Sequence, residues 1–348
     1  MVGAARPFVS IAVPCRNEAL YIAACLDSIL ASAYPLNQLE VLIADGMSED
    51  GTRDIVAEYA ARYPFIRLLD NPKRIVPAGL NAAIALAKGE IIVRMDAHET
   101  YPPEYLPRLV AELEQTGADN VGGVIITVPA DNSPTARAIA VGLSHPFGVG
   151  NAYFRIGADV RRWADTVPFG CFRREVFERI GGFDEDMVRN EDDEFNLRLI
   201  KHGGRVLLLP EVVSYYRARK SLRDVAHMYF QYGRYKPLVA RKLGAVMTGR
   251  QLVPALFLLT LLALGVLGVW VPGARTAAAA IAGCYAALVL GFSALTIRKH
   301  GWRCALALTA VFPTVHVCYG IGFLYGVLRY WTPFGRPARA TPAVPVPR

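Results

Sequence analysis

Gly89-Glu-Ile-Ile-Val-Arg-Met-Asp96-Ala-His98-Glu99 is the stretch on which the reading of this chain turns. Residues 90–93 form a short, β-branched apolar run of the kind that fills the middle of a parallel sheet. In open α/β sheets a ligand binds just beyond the carboxyl ends of the strands, so Asp96 and His98 are expected at such an edge. A carboxylate and an imidazole there suit a divalent cation held against a diphosphate, Mg2+ or Mn2+, with the imidazole favouring Mn2+. An Asp at a strand end is also an ordinary turn or N-cap residue. The flanking stretches have to decide.

Toward the N-terminus, residues 8–13 read as a buried strand that stops at Pro14, and Cys15-Arg-Asn17-Glu18 leads into a helix over 19–31. Residues 39–44 read as a second strand, followed by Asp45-Gly-Met-Ser-Glu-Asp50-Gly-Thr52 and a helix over 52–63. A third strand over 66–69 precedes a helix over 76–88, for which Gly89 is the expected C-cap. This alternation predicts an α/β fold with an open, mostly parallel sheet and helices on both faces. No glycine-rich dinucleotide fingerprint or P-loop is present, so a nucleotide must be held otherwise.

Toward the C-terminus the pattern gives a helix over 104–116, a strand over 121–128 and a long stretch, 129–167, with little periodicity. Such a connection reads as a functional lid or a packed surface loop. Helices follow over 175–180 and 193–202; the second has acids at its start and bases at its end, which suits the helix dipole without any catalysis.

Of the 348 residues 53% are hydrophobic, and the excess lies after residue 250. The runs 252–271, 276–297 and 304–328 carry no formal charge and are each about long enough to cross a bilayer. Arg241, Lys242 and Arg250 precede the first run and Arg298, Lys299 and Arg303 separate the second from the third, while only Arg275 separates the first two. The positive-inside rule then puts the N-terminal domain in the cytoplasm. Three crossings would leave the tail, with Arg329, Arg336, Arg339 and Arg348, outside, unless the third run is a re-entrant hairpin broken near Pro313. The net charge of +8 is concentrated between Arg205 and Arg250, with ten Lys/Arg against two acids. A basic segment before a span points to anionic membrane lipids or a lipid diphosphate rather than nucleic acid. The six cysteines show no metal-ligand spacing and read as reduced thiols. The N-terminus does not read as a signal peptide, because its apolar run is short and leads into Pro14, Arg16 and Glu18.

Pro14-Cys-Arg-Asn17-Glu18, Asp45 to Thr52, Asn81 and Arg94-Met-Asp96-Ala-His98 together resemble inverting family 2 glycosyltransferases with the A-type nucleotide-diphosphosugar fold, over residues 8–215. The resemblance implies a nucleotide pocket from Pro14, Asn17, Glu18, Asp45, Asn81 and Asp96. Asp96 matches the first metal-contacting acid of the family's Asp-x-Asp motif, and His98 departs from it by replacing the second. Glu191-Asp192-x-Glu194-Phe195 matches the acidic motif in which the Asp is the base, here Asp192. A sugar hydroxyl is a poor nucleophile at neutral pH and needs such a carboxylate, while the departing diphosphate needs positive charge. Asn151, Tyr153, Trp163 and Asp165 fall where the family shapes its acceptor site; packing within a surface loop accounts for them equally.

Gln231-Tyr-Gly-Arg234-Tyr235 resembles the Gln-x-x-Arg-Trp motif of membrane synthases, which would bring Gln231 and Arg234 to the acceptor or diphosphate; anchoring at the membrane interface also explains these residues. The metal strand and the 167–174 loop are further similar to bacterial succinoglycan-type membrane glucosyltransferases. That similarity implies transfer from UDP-glucose to a polyprenyl-diphosphate-linked saccharide in exopolysaccharide assembly at the inner membrane. The expected organisation is a cytoplasmic catalytic domain over 8–215, a basic interface segment over 216–250, spans over 251–331 and a Pro-rich tail over 332–348. Two alternatives stand beside it. One is a processive synthase, for which three spans are few; the other is a silent scaffold or transport subunit, which only His98 favours.

Overall fold

The computed structural model describes residues 6–244 and 248–331, so the Pro-rich tail with Arg336, Arg339 and Arg348 lies outside the described residues. The described residues form two compact units, the first built from residues up to Ile126 with Gly157–Tyr216, the second from Thr127–Ile156 with residues 217–331.

The first unit begins with three strand–helix pairs: β1 (Val9–Cys15) and α1 (Ile22–Leu30), β2 (Leu39–Asp45) and α2 (Thr52–Arg62), β3 (Ile66–Asp70) and α3 (Val76–Leu86). β4 (Ile91–Arg94), the two-residue β5 (Glu99–Thr100), α4 (Tyr105–Thr116) and β6 (Asn120–Val128) follow. β1 runs one residue past Pro14. Pro14 lies two residues beyond Ala12, which pairs with the last residue of β4, so its missing N–H costs no ladder bond. Gly89 is not a helix cap: α3 ends at Leu86 with Ala87 extended. A Cβ at Gly89 would meet the Ser10 nitrogen at 2.5 Å, so glycine lets the chain pass close to β1.

The stretch 129–167 is more ordered than its pattern suggests. It holds α5 (Pro134–Leu143), α6 (Pro146–Val149), α7 (Tyr153–Ile156) and β7 (Arg162–Trp163). Ser133 caps α5 by accepting from the Ala136 N–H, with Pro134 in the first turn. Four of its six buried residues, Ala136, Ala138, Ala140 and Gly142, are small, which leaves only Ile139 and Leu143 to mark its apolar periodicity. β8 (Cys171–Arg173), α8 (Arg174–Ile180), α9 (Glu191–Lys201) and the twelve-residue β9 (Val206–Arg217) complete the sheet region.

The strand order is β3-β2-β1-β4-β8-β6-β9-β5, with β7 on β9. Pairs among β1, β2, β3 and β4 are parallel, whereas β4–β8, β6–β8, β5–β9 and β7–β9 are antiparallel. The sheet is therefore mixed, and parallel only in its first half. The reason is local: the chain reaches β8 beside Arg94, whose N–H donates to Gly170, so β8 must run back down against β4. The core is apolar on both faces, with Val9, Ile11 and Val13 of β1 and Val41, Leu42 and Ile43 of β2 buried.

The second unit contains α10 (Leu222–Leu243), α11 (Gly249–Leu267), α12 (Pro272–Leu295), the short α13 (Ile297–His300) and α14 (Trp302–Trp331). Among the described residues α11, α12 and α14 are long and apolar enough to cross a membrane. They leave Leu256, Leu262, Leu290 and Leu306 exposed, an apolar surface that suits contact with lipid. α14 continues unbroken through Pro313 for 30 residues, so it has no re-entrant break there.

Candidate active site

Parallel register brings the ends of three strands level at one edge: Cys15 pairs with Asp45, and Asp45 with Asp70. Asp96 follows two residues after Arg94, which pairs with Ala12. All five non-glycine residues with positive φ among the described residues lie in loops around this edge: Asn17, Met47, Arg74, Phe169 and Asn190. Such backbone is sparsely populated and collects at sites that need a fixed loop shape.

The first two loops brace each other. The Asn17 N–H donates to Ser48 Oγ at 2.8 Å and the Glu49 N–H to Asn17 Oδ1 at 3.0 Å. The Glu18 N–H donates to Thr52 Oγ1 and the Ala19 N–H to Asp50 Oδ2. Asp45 is fully buried and accepts from the Ser48 N–H at 2.9 Å and from Arg53 Nη1 at 2.9 Å. Burial works against its charge, but Ser48 and Arg53 together hold its carboxyl below the ordinary range. Arg53 also donates to Asp70 at 2.7 Å. Pro14 is buried at the end of β1, beneath this pair of loops.

Beside them one guanidinium gathers three carboxylates. Arg94 donates through Nε to Asp96 Oδ1 at 3.1 Å, through Nη2 to Glu191 Oε1 at 3.0 Å, and through Nη1 to Asp192 Oδ1. Its side chain is 5% exposed, against 17% for Asp96 and 26% for Asp192. The Phe169 ring centroid lies 5.8 Å from the Arg94 guanidinium carbon. Burial opposes the Arg94 charge, yet Asp192, Asp96 and Glu191 hold it firmly protonated. Burial pushes the Asp192 carboxyl well up, and Glu191, Asp96 and Asp193 push the same way against the pull of Arg94. A carboxyl so placed, partly open and next to a fixed cation, is suited to taking a proton.

His98 Nδ1 sits 3.2 Å from Glu18 Oε1, and its ring meets Tyr216 edge-on at 5.6 Å. Burial disfavours its protonation, but Glu18 and Asp96 hold its pKa above the ordinary value. Among the described residues no three His, Cys, Asp or Glu side chains converge to hold a metal on their own. The donor set fits a cation that takes one or two protein ligands and completes its shell with substrate phosphate and water.

Other expected site residues are placed elsewhere. Both groups of the Asn81 amide bond the Phe183 backbone, at 2.9 and 2.8 Å, so Asn81 staples α3 to the loop before α9. Trp163 pairs with Leu207 near the start of β9 and lies under Arg205 at 4.6 Å. β5, just after Asp96, pairs with Tyr215 and Tyr216 at the other end of that strand, roughly 25 Å away along the strand axis. Trp163 thus lies at the start of β9, three residues before Thr166, whose Oγ1 accepts from Asn196 on α9 at 2.9 Å. Asp165 is half-buried in the segment returning from β7. Gln231 and Arg234 lie in the second unit on α10, Gln231 Nε2 at 2.8 Å from His227 Nε2 and Arg234 at 5.4 Å from the Tyr325 ring centroid.

Arg94 is the residue that reading the sequence missed. Its signal was a single charge at the end of a buried apolar strand, which has to be paired to be tolerated.

Residues 10–181 match the family described as glycosyl transferase family 2. The chain is 38% identical over 246 residues to the succinoglycan biosynthesis protein ExoA of Rhizobium meliloti (strain 1021), covering 70% of this chain and 73% of that protein. It is 30% identical over 243 residues to the Methanococcus voltae dolichyl N-acetyl-alpha-D-glucosaminyl phosphate 3-beta-D-2,3-diacetamido-2,3-dideoxy-beta-D-glucuronosyltransferase, covering 68% and 74%. Among solved structures it is similar to the mannosyltransferase PcManGT from Pyrobaculum calidifontis in complex with GDP-Man and Mn2+. The TM-score is 0.57 and the identity 26%, over 88% of this chain and 86% of that one.

Proposed function

Because the chain belongs to glycosyl transferase family 2 and is a glycosyltransferase of the A-type fold, we propose that it moves a sugar, with inversion, from a UDP-sugar to a polyprenyl-diphosphate-linked saccharide at a bacterial inner membrane. UDP-glucose is the proposed donor and exopolysaccharide assembly the proposed setting. The similarity to a succinoglycan biosynthesis protein and to a dolichyl-phosphate sugar transferase supports both the lipid-linked acceptor and the setting. The observation that carries the reading is that Asp96 and Asp192 share one buried guanidinium at the carboxyl edge of the sheet.

In this reading the braced loops with Pro14, Asn17, Glu18 and Asp45 hold the nucleotide, and Asn81 acts on them from behind by fixing the Phe183 loop. Asp192 accepts the proton of the acceptor hydroxyl as that oxygen bonds to the anomeric carbon and the diphosphate leaves from the opposite face. One base and no covalent enzyme intermediate invert the anomeric centre, so an α-linked donor gives a β-glycoside. Asp96, with His98 as a second contact, would hold Mn2+ or Mg2+, which supplies positive charge to the leaving diphosphate. The solved mannosyltransferase with GDP-Man and Mn2+ supports that choice of cation. Gln231 and Arg234 are proposed to face the acceptor or its diphosphate. The apolar helices α11, α12 and α14 would cross the membrane with the sheet-bearing unit on the cytoplasmic side.

The test is transfer by the purified full chain in lipid vesicles, with labelled nucleotide sugars, Mn2+ or Mg2+, and a lipid-diphosphate saccharide. Label should pass to the lipid fraction from one nucleotide sugar above all others, and Asp96→Ala should abolish both transfer and metal-dependent UDP binding. Full activity of Asp96→Ala at limiting metal would falsify its assignment.

A further inference from the structure

Three carboxylates cannot share a poorly hydrated spot without a cation. Asp96, Glu191 and Asp192 meet where their own repulsion and the loss of water both penalise charge. In the structure Arg94 supplies the balance. Its planar fork gives Nε to Asp96, one Nη to Glu191 and the other to Asp192, a division that a point-charge lysine cannot reproduce. It is held for the task by β4, whose last residue it is, and by the ring of Phe169, which the positive φ of 63° turns toward it.

The three legs are separable. Asp96 takes Nε at 3.1 Å and a share of Nη2 at 3.4 Å, the same Nη2 that reaches Glu191 at 3.0 Å, whereas Nη1 goes to Asp192, so the contacts to Asp96 can break without that bond. Asp96 is also the acid read above as the cation ligand. We propose that Arg94 is a positioning residue that stands in for the cation. Without donor, its guanidinium occupies Asp96 and holds Asp192 in place; when the cation arrives with the diphosphate, Asp96 is released and the bond to Asp192 stays. The inference rests on the assignments of Asp96 and Asp192 made above. It adds that the two are coupled through Arg94, and that the resting enzyme resists binding a cation alone.

The test separates this coupling from a merely structural role. Purified full-length protein is titrated with Mn2+ alone, without nucleotide, and free Mn2+ is read by electron paramagnetic resonance. Arg94→Met removes the competing cation and leaves its carboxylates to the metal, so Mn2+ should bind at least about tenfold tighter than to the parent. In the same variant kcat should fall by about 10²-fold, because Asp192 has lost the group that aims it, while the donor KM stays within a few-fold. Arg94→Lys should keep weak Mn2+ binding, since a charge still faces Asp96, yet fail to restore kcat.

A residue that only held the fold together would lose Mn2+ affinity and kcat in parallel. Arg94→Met that is folded by circular dichroism and binds Mn2+ no tighter than the parent overturns the proposal. Should Arg94→Met not fold, Arg94→Gln combined with Glu191→Gln removes one charge of each sign and carries the same comparison. Asp96→Ala in the same titration distinguishes the two levels of argument. If it leaves Mn2+ affinity unchanged in the Arg94→Met background, the assignment of Asp96 as ligand has failed; if it abolishes the gain, that assignment stands whatever Arg94→Lys does.

Discussion

Asp192 and Asp193 are neighbours in the chain, but the bond from Arg94 falls on Asp192. Asp192→Asn keeps the size of the side chain and removes the proposed base. Turnover should fall by about 10²–10⁴-fold with nucleotide affinity nearly unchanged, as single-turnover rates and calorimetry would show. Asp193→Asn should cost much less; the reverse pattern would move the base by one residue. At His98 the structure shows a partner as well as a place, because Glu18 Oε1 lies 3.2 Å from Nδ1. His98→Asp sets a second carboxylate beside Asp96 and breaks the link to Glu18. Rates with Mn2+ and with Mg2+ should then shift toward Mg2+. An unchanged preference would leave His98 with the bracing of Glu18 as its role. These are residues the motifs had already singled out. Arg94, Ser48 and Arg53 had no role assigned from the motifs, since an arginine or serine declares its importance only through the group it reaches.

α9 carries Asp192, the proposed base, and its position is secured from behind. Arg198 grips Glu194 with two bonds, at 2.8 and 2.9 Å, and also donates to the Gly182 and Ile180 carbonyls at the end of α8. Phe195 stacks on Phe183 at 4.5 Å, in the cluster that includes Phe177. Glu194 is fully buried, so Arg198→Met would strand its charge and should cost about 3–5 kcal/mol of stability by thermal unfolding. A stability change within experimental error would show that α9 is held by the phenylalanines alone. In the second unit α10 and α14 touch backbone to backbone: a Cβ on Gly322 would meet the Phe230 carbonyl oxygen at 2.1 Å. Gly322→Val should therefore push the helices apart and lose at least about 1–3 kcal/mol, read as earlier heat denaturation in detergent. The helix pattern of α14 could be read along the chain, whereas the contact that makes its glycine necessary involves a residue 92 positions away.

On the scale of the whole molecule the three apolar helices carry a topology that can be checked. The proposed topology puts Lys299, between α12 and α14, on the cytoplasmic side and Arg275 opposite, so a cysteine at His300 in a chain stripped of native cysteines should be labelled by an impermeant maleimide only in inverted vesicles. A cysteine at Gly273 should be labelled only in right-side-out ones, and the opposite result would invert the assignment. The sequence by itself determined the strand–helix alternation as far as Asp96, the apolar spans and the acidic motifs. Each of these is written in periodicity or composition over neighbouring residues, where a buried strand or a span needs an unbroken apolar run. Only the tertiary structure decided that the sheet turns antiparallel after β4, that residues 134–143 form a helix of the second unit, that Trp163 pairs with the start of β9, and that Arg94 joins Asp96 to a carboxylate 96 residues on. The physical reason is that strand direction and charge pairing are settled between distant segments, by which donor meets which acceptor once the sheet has closed.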